Sequence, residues 1–277
     1  LNNATADNMK SIQLDTVSPF AREMCTLLLK FNFSFDDDKI TKIINDLKKW
    51  DGGEGSDSQE ALFFHSIIKE LAHNIYGDEL SLLGENYLEA FLGLKYLYTR
   101  NLRVLLKKGH SSWFDNITTK KKEESMEDII KLSIIKGINT VFEKYGYKKE
   151  NTVWGKAHSL THPHLLGKES LLNKIFGLNV GPFFSGGSDK TVRAGGFSYT
   201  DPFEQTAGAS MRRIVNFDNL DEIDFILPTG QSGHPHSPHY KDQAFLYNKG
   251  KYKITHFNED KIRKNQTFRK MILLPER

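Results

Sequence analysis

The sequence contains a single cysteine, Cys25, among its 277 residues. It therefore forms no internal disulfide, and its cysteine content does not indicate an oxidising or a reducing compartment. No apolar run approaches the roughly 18 residues that a membrane-spanning helix requires. Net charge is also small, because 38 Lys and Arg residues are nearly balanced by 35 Asp and Glu residues. A net charge of +3 gives no support to a nucleic-acid or anionic-membrane partner.

The amino terminus lacks both an initiator methionine and the features of a secretory signal. Residues 1–5 are polar and contain no basic segment. This start predicts that the sequence begins at an internal cut in a longer protein. The length and the hydrophobic content of 38% are sufficient for a substantial folded core.

Helical periodicity dominates the first half of the chain, and short alternating segments dominate the second. Ser18 and Pro19 are typical of a helix cap and a first helical position. A change in composition near Asn151 divides a mainly helical segment, 1–150, from a strand-rich segment, 151–277, in one continuous fold of the α+β class. The predicted helices are 7–15, one from 19, one from 36–38, then 56–76, 84–107, 123–145 and 258–264; the predicted strands are 191–197, 207–215, 223–227, 252–255 and 271–274.

A loop of restricted composition, residues 227–243, follows one of these strands and is called the signature loop below. Its sequence is LPTGQSGHPHSPHYKDQ, in which glycines and prolines exclude a helix and require a tightly specified turn. We expect Gly230 and Gly233 to have positive φ or a close backbone neighbour, and Gly233→Val to destabilise the fold if residue 233 has positive φ. Asp242 or His239 is expected to anchor the turn.

Two catalytic motifs are incomplete in this sequence. A nucleophile elbow requires Gly-x-Ser-x-Gly, but Ser232 is followed by Gly233 and then by His234, and the nearby prolines prevent a helix. Ser232 is therefore predicted to fix the turn and not to act as a nucleophile. The segment GPFFSGG at 181–187 resembles the start of a phosphate loop, but Gly187 stands where the lysine is required, so nucleotide binding is rejected.

Histidines occur in two groups, at positions 158, 162 and 164 and at 234, 236 and 239. A zinc site needs about four ligands in tetrahedral reach, and the sequence has no second cysteine to contribute. Neither group has the i, i+4 spacing of zinc ligands within a segment predicted to be helical. We interpret these side chains as turn histidines that bond to the backbone, with metal binding as the weaker alternative.

Several segments resemble, in order, the C-terminal part of the penicillin acylase (penicillin amidase) family. The resemblance covers essentially the whole chain. It is carried by NMKSIQLD at 8–15, WGKAH at 154–158, GGF at 195–197, SMRRIV at 210–215 and the signature loop. Its signature positions are Arg212, Gly230, Gln231, Ser232, Gly233, Ser237, His239, Tyr240, Asp242 and Gln243.

The resemblance implies an N-terminal nucleophile hydrolase, whose fold is a four-layer α/β/β/α sandwich with strands from both ends of the heavy chain. Such enzymes cleave acyl amides, including β-lactam side chains and acyl homoserine lactones, with a terminal serine that serves as its own base. That serine, the oxyanion-hole asparagine and the calcium ligands belong to family segments upstream of the match at 8–15. The resemblance therefore implies the C-terminal portion of a heavy chain, inactive alone and without a cofactor of its own.

The same resemblance gives expectations about partners and location. The partner is the upstream part of the same precursor, namely the light chain and the N-terminal half of the heavy chain, and the substrate is a small acyl amide. Calcium binding is possible in the full-length enzyme, and the location is periplasmic or secreted. The rival hypothesis is a non-catalytic binding or scaffold protein that retains the acylase C-terminal fold.

Two strand positions receive specific expectations. Some family members orient a histidine near the nucleophile with a carboxylate, and an ungapped count back from Gly230 places this position at Asn216. Asparagine can accept a hydrogen bond from imidazole, but it does not stabilise an imidazolium as a carboxylate does. Arg212 and Arg213 are adjacent on a predicted strand, so one is expected in solvent and the other buried against a carboxylate or loop carbonyls.

Overall fold

The computed structural model describes residues 4–84, 86–120, 122–199, 203–264 and 271–275. The chain divides into two compact units. The helical unit comprises Asp15–Pro163 and Gly181–Gly208, and the sheet unit comprises Leu1–Leu14, His164–Val180 and Ala209–Arg277. The division at residue 150 remains a prediction from composition.

The elements confirm the α+β class, because long helices precede short antiparallel strands. The helices are α1 (Ala6–Gln13), α2 (Pro19–Leu28), α3 (Asp38–Lys49), α4 (Gln59–Leu83), α5 (Tyr87–Gly93), α6 (Lys95–Lys108), α7 (Met126–Tyr145), α8 (Trp154–Ala157), α9 (Ser170–Phe176), α10 (Ala244–Asn248) and α11 (Glu259–Lys264). The strands are β1 (Ser159–His162), β2 (Val180–Phe184), β3 (Gly195–Gly196), β4 (Ala207–Gly208), β5 (Arg212–Val215), β6 (Glu222–Ile226) and β7 (Lys253–His256).

Side-chain caps explain where most of the early helices begin. The Ser18 hydroxyl accepts the N–H of Ala21, with Pro19 in the first position as predicted. Helix α1 begins earlier than predicted, because Thr5 and Asn8 form a capping box and Asp7 lies inside the helix.

The prediction of a single helix over 84–107 is wrong. Gly84, with a φ of 140°, ends α4, and the chain then forms α5 and α6, which are separated at Leu94. Gly93 lies at this break, and glycine is a weak helix former because its backbone loses the most entropy on ordering.

Helix α4 is the central element of the helical unit. All eight residues from Ala61 to Ile68 are buried, which is typical of a helix surrounded by other elements rather than lying on a surface. Helix α7 crosses it closely, because a Cβ on Gly137 would lie 2.8 Å from the Cα of Ile67. The Ser66 hydroxyl also donates to the Gly137 carbonyl at 2.8 Å. Each fully buried aliphatic side chain here contributes about 1.5–3 kcal/mol.

Within the described residues, the strands form three small sheets. Strands β1 and β2 pair, β3 and β4 pair antiparallel, and β5, β6 and β7 form an antiparallel sheet in that order. Helix α1 belongs to the same unit as the three-stranded sheet, and the Lys10 ammonium lies 2.9 Å from the Asp224 carboxylate of β6. No helix among the described residues is long and apolar enough to cross a membrane.

The strand predictions are correct at β6 and β7 and wrong elsewhere in detail. The segment predicted over 191–197 is paired only at β3, and the segment over 207–215 is divided into β4 and β5. Residues 271–274 form no strand, and their side chains are exposed. A strand requires a backbone partner, which an alternating or apolar sequence does not supply by itself.

Candidate functional site

The signature loop is closed by its own backbone. The N–H of Ser232 donates to the His239 carbonyl at 3.1 Å, and the N–H of Gln243 donates to the Thr229 carbonyl at 2.9 Å. The buried side chain of Gln243 in turn accepts the N–H of Leu227 at 2.9 Å. Gln243 therefore joins the end of β6 to the end of the loop.

Polar side chains of the loop serve as local turn caps. The Ser232 hydroxyl accepts the N–H of His234 at 3.1 Å, and the Ser237 hydroxyl accepts the N–H of His239 at 3.1 Å. The ring of His234 accepts the N–H of His236 at 3.2 Å. The prediction that Ser232 fixes the turn is confirmed. The described residues contain no group of three or more His, Cys, Asp or Glu side chains that could hold a metal.

Asp242 and Tyr240 anchor the end of the loop. The Asp242 carboxylate accepts from the Lys253 ammonium at 2.8 Å and lies 3.4 Å from Nδ1 of His239. Partial burial acts to raise the pKa of Asp242, but Lys253 and His239 outweigh it and hold that pKa below its ordinary value. The Tyr240 hydroxyl donates to the Leu178 carbonyl.

The two glycines of the signature loop differ in how much space a side chain would have. Neither Gly230 nor Gly233 has positive φ. A Cβ on Gly230 would overlap the His239 carbonyl, so the expected close backbone approach is confirmed there. A Cβ on Gly233 would meet nothing within 4 Å. The expectation of a strained Gly233 is therefore wrong, because this part of the loop faces open space. Gln231, between them, is exposed.

The prediction that one arginine of the pair is buried is confirmed, and the structure identifies Arg212 as the buried one. Its guanidinium carbon lies 3.9 Å from the ring centroid of Tyr247, and Nη1 donates to the Tyr247 carbonyl at 2.7 Å. The adjacent Arg213 is exposed. Asn216 lies in the exposed turn after β5, where its side chain accepts the N–H of Asp218 at 3.0 Å. Its proposed role as a dyad-orienting residue stays a prediction.

The helical unit contains a cluster of buried polar and aromatic side chains, which we call the buried histidine cluster. Its members are Glu54, His65, Trp154, His158, Phe197 and Tyr199. The indole of Trp154 stacks with the imidazole of His65 at 4.5 Å and with that of His158 at 4.6 Å, measured between ring centroids. Phe197 presents its ring at steep angles to all three. The WGKAH and GGF segments, distant in sequence, therefore meet around His65.

Glycines make this meeting possible. A Cβ on Gly195 would lie 2.8 Å from Nε2 of His158, and a Cβ on Gly155 would lie 2.8 Å from the Cβ of Phe184. Contacts this short do not occur between real side chains, so only glycine fits at either position without displacement.

Each ring nitrogen of His65 has a polar neighbour within the cluster. Nε2 of His65 is 3.3 Å from the Glu54 carboxylate, and Nδ1 of His65 is 2.7 Å from the Tyr199 hydroxyl. Burial raises the pKa of Tyr199 well above its ordinary value. The side chains of Glu54, His65 and Tyr199 are all buried, so they have no direct access to a substrate.

Sequence reasoning identified the WGKAH and GGF segments but not Glu54, His65 or Tyr199. The available signal was His65 itself, a polar residue in the apolar run LFFHSII of α4. A polar side chain on a helix buried on all sides requires a partner from elsewhere in the chain. Nothing in a single sequence specifies which residue that partner is.

Histidines in the first group also bond to the backbone. Nδ1 of His158 lies 2.7 Å from the Phe203 carbonyl, and the ring of His164 accepts the N–H of Leu166 at 3.2 Å. The interpretation as backbone-bonded histidines is thereby confirmed for these two residues. Burial lowers the pKa of His158 to about 3 and also lowers that of His162.

Comparison with known proteins identifies one family. The penicillin amidase family model matches residues 1–264. The acyl-homoserine lactone acylase QuiP of Pseudomonas aeruginosa is 27% identical over 242 residues, covering 83% of this chain and 28% of that protein. Penicillin acylase 2 proenzyme of Pseudomonas sp. (strain SE83) is 35% identical over 95 residues, which cover 32% of this chain and 12% of that protein.

Among solved structures, the thermostable penicillin G acylase from Alcaligenes faecalis has 15% sequence identity and a TM-score of 0.46, covering 95% of this chain and 48% of that chain. The chain thus spans less than a third of the length of the curated relatives it matches. Because the family model extends over nearly all of its residues, the chain belongs to the penicillin amidase family.

Proposed function

We propose that this chain is part of a hydrolase that cleaves acyl amide bonds. The observation that carries the proposal is the family match over residues 1–264. The similarity to an acyl-homoserine lactone acylase over most of the chain supports acyl homoserine lactones as a substrate class. The shorter similarity to penicillin acylase 2 supports the side-chain amides of β-lactams.

Within that hydrolase, the role proposed for this chain is structural support of the catalytic part. Amide hydrolysis requires an activated nucleophile, a base within hydrogen-bond reach and donors for the oxyanion. Burial raises the pKa of the Cys25 thiol to about 12, which opposes formation of the nucleophilic thiolate. The Ser232 hydroxyl is engaged in its turn, and the buried histidine cluster is enclosed. These observations support a chain that is inactive alone.

The catalytic groups are proposed to come from the upstream part of the same precursor. This arrangement is that of an N-terminal nucleophile hydrolase, in which the present chain completes the α/β/β/α sandwich. Calcium in the complete enzyme is proposed to be held by the same upstream part, as the family resemblance implies. A periplasmic or secreted location is part of the same proposal.

The experiment compares the complete gene product with the purified 277-residue chain. Both are assayed with chromogenic acyl anilides and with acyl homoserine lactones of several chain lengths. We expect turnover by the complete product and none above a buffer blank by the chain alone. A Ser232→Ala variant of the complete product should retain turnover, since the hydroxyl only caps a turn.

One observation favours the alternative of a non-catalytic binding or scaffold protein. Asn216 occupies the position where an ungapped count places the orienting carboxylate of some family members. A complete gene product that is folded but hydrolyses neither substrate class would support this alternative. Turnover by the chain alone that is lost in Ser232→Ala would show instead that the signature loop is catalytic.

A further inference from the structure

Helix α6 is buried along one side and exposed along the other. Its inward side chains, among them Tyr98 and Leu102, are fully buried in the core of the helical unit. The outward residues Leu97, Arg100 and Val104 follow one another at helical spacings, so they lie along one line of the helix surface. Leu97 and Val104 are 54% and 58% exposed, with the exposed guanidinium of Arg100 between them. We call this surface the outer face of α6; its further exposed members are Tyr96, Arg103, Lys107 and Lys108.

The outer face is positively charged. The sequence of the helix, KYLYTRNLRVLLKK, contains no Asp or Glu. The Glu23 carboxylate of α2 lies 2.7 Å from Nε of Arg103 and 2.6 Å from Nζ of Lys107, so one anion faces two cations. Within the described residues, Arg100 and Lys108 take part in no ion pair. A positive charge is therefore concentrated here, although the chain as a whole carries only +3.

The mixture of aliphatic and long cationic side chains indicates the chemistry of the partner. In a helix that lies on a membrane surface, apolar side chains enter the boundary between headgroups and acyl chains, and Lys and Arg place their charges among the phosphates. The exposed Tyr96, whose ring centroid is 4.5 Å from the Lys190 ammonium, adds an aromatic side chain and a further cation beside this face. Tyrosine is common at membrane interfaces because one end of its side chain is apolar and the other polar.

The size of the face favours a lipid surface over a folded partner protein. A helix of 14 residues is about 21 Å long and about 10 Å wide, so its exposed half offers only a few hundred Å². Each partner in a stable protein complex contributes roughly 800 Å². A nucleic acid would use the cations, but its phosphates give no reason for Leu97 and Val104 to lie between them.

We propose that the outer face of α6 docks the protein on an anionic phospholipid surface. Leu97 and Val104 enter the headgroup boundary, and the charged groups of Arg100 and Lys108 lie among the lipid phosphates. Because exposed charges interact over about 8 Å at physiological ionic strength, added salt weakens the attachment. The docking is independent of the hydrolase activity proposed above.

The first test measures cosedimentation of the complete gene product with vesicles. The variant Arg100→Glu with Lys108→Glu is compared with Lys48→Glu with Lys49→Glu, which reverses two exposed lysines in the last turn of α3. The two double variants change the net charge equally. We expect wild type and the α3 variant to bind vesicles of equal parts phosphatidylglycerol and phosphatidylcholine, and the α6 variant to bind at least tenfold more weakly.

The second test addresses the apolar contact. Leu97→Ser is compared with Leu132→Ser, which changes an exposed leucine of α7. We expect Leu97→Ser to weaken binding to the mixed vesicles at least threefold and Leu132→Ser to leave it unchanged. All the substituted side chains are exposed, and circular dichroism verifies that each variant is folded.

Absence of vesicle binding by the wild-type protein would overturn the proposal and would indicate that another part of the polypeptide or a second copy covers the face. Equal binding of the α6 and α3 charge variants would also overturn it. Binding to pure phosphatidylcholine vesicles as tight as to the mixed vesicles would exclude an anionic lipid as the partner. Tighter binding to double-stranded DNA than to vesicles, unaffected by Leu97→Ser, would assign the face to nucleic acid instead.

Discussion

The imidazole of His158 stacks on the indole of Trp154, with the ring planes 7° apart and the centroids 4.6 Å apart. The two residues are one helical turn apart, and the N–H of His158 donates to the Trp154 carbonyl at 2.7 Å. Nδ1 of His158 faces the Phe203 carbonyl, which only accepts, so this nitrogen carries the proton in the neutral ring. The Phe203 carbonyl therefore fixes the tautomer of His158, and the stack on Trp154 fixes the position of its ring.

The first prediction concerns the pH dependence of stability. Burial lowers the pKa of His158 to about 3 from an ordinary value of 6.5, so the unfolded chain binds a proton that the folded chain does not. The stability contributed by His158 is present above pH 6.5 and is lost as the pH falls from 6.5 toward about 3. The slope attributable to this residue approaches ~1.4 kcal/mol per pH unit.

The measurement is urea unfolding of wild type and His158→Gln between pH 7 and pH 4. Glutamine can still donate to the Phe203 carbonyl, but it has no titratable ring and no aromatic face to stack on Trp154. We therefore expect the variant to be less stable than wild type and its stability to depend less steeply on pH. Exposed His110→Gln serves as the control for losing a histidine from the surface. Parallel pH curves for wild type and His158→Gln would contradict the prediction.

The second prediction compares two buried tyrosines whose rings are 5.5 Å apart. The Tyr199 hydroxyl bonds Nδ1 of His65 at 2.7 Å, whereas the Tyr98 hydroxyl has no hydrogen-bond partner among the described residues. Tyr199→Phe leaves a buried ring nitrogen unsatisfied and should lower the free energy of unfolding by about 1–3 kcal/mol. Tyr98→Phe removes an unpartnered polar atom and should be neutral or stabilising.

Urea unfolding at neutral pH distinguishes the two variants. Because both replacements remove one hydroxyl from a fully buried ring, their difference reports the hydrogen bond and not the loss of volume. Equal changes in the two unfolding midpoints would show that the contact with His65 contributes nothing to stability.

Local signals in the sequence predicted local structure, and contacts between distant residues were not predictable. Ser18 and Pro19 identify the start of α2 because a cap depends on neighbours three residues away. Residues 271–274 have the composition of a strand, but a strand also needs a partner that composition does not specify. Glu54, His65 and Tyr199 come together from distant parts of the sequence. The hydrogen-bonded pair, His65 and Tyr199, is separated by 134 positions, and no local pattern encodes a contact over such a separation.

The third prediction concerns the signature loop. Gly230→Ala would place a methyl group against the His239 carbonyl, whereas Gly233→Ala would place one in open space. Because neither residue has positive φ, the backbone conformation itself does not penalise either change. We expect Gly230→Ala to lower the free energy of unfolding by about 1–3 kcal/mol and Gly233→Ala to change it by less than ~0.5 kcal/mol. Thermal unfolding of the two variants side by side checks this order, and a larger loss at Gly233 would contradict it.

The fourth prediction separates the two adjacent arginines of β5. The Arg212 guanidinium is buried on the ring of Tyr247 and donates to its carbonyl, so Arg212→Ala removes a hydrogen bond, a stacking contact and buried volume together. We expect a loss of about 2–4 kcal/mol in the free energy of unfolding. Arg213→Ala, on the exposed face of the same strand, should change it by less than ~0.5 kcal/mol.

Arg212→Lys tests which property of the guanidinium matters. Lysine retains the charge but lacks the planar group that stacks on Tyr247 while donating to its carbonyl, so the substitution should be nearly as destabilising as alanine. Recovery of most of the stability by lysine would show that charge alone suffices at this position. Equal losses in Arg212→Ala and Arg213→Ala, measured by urea unfolding with unchanged m-values, would show that the burial of one arginine does not govern the stability of this sheet.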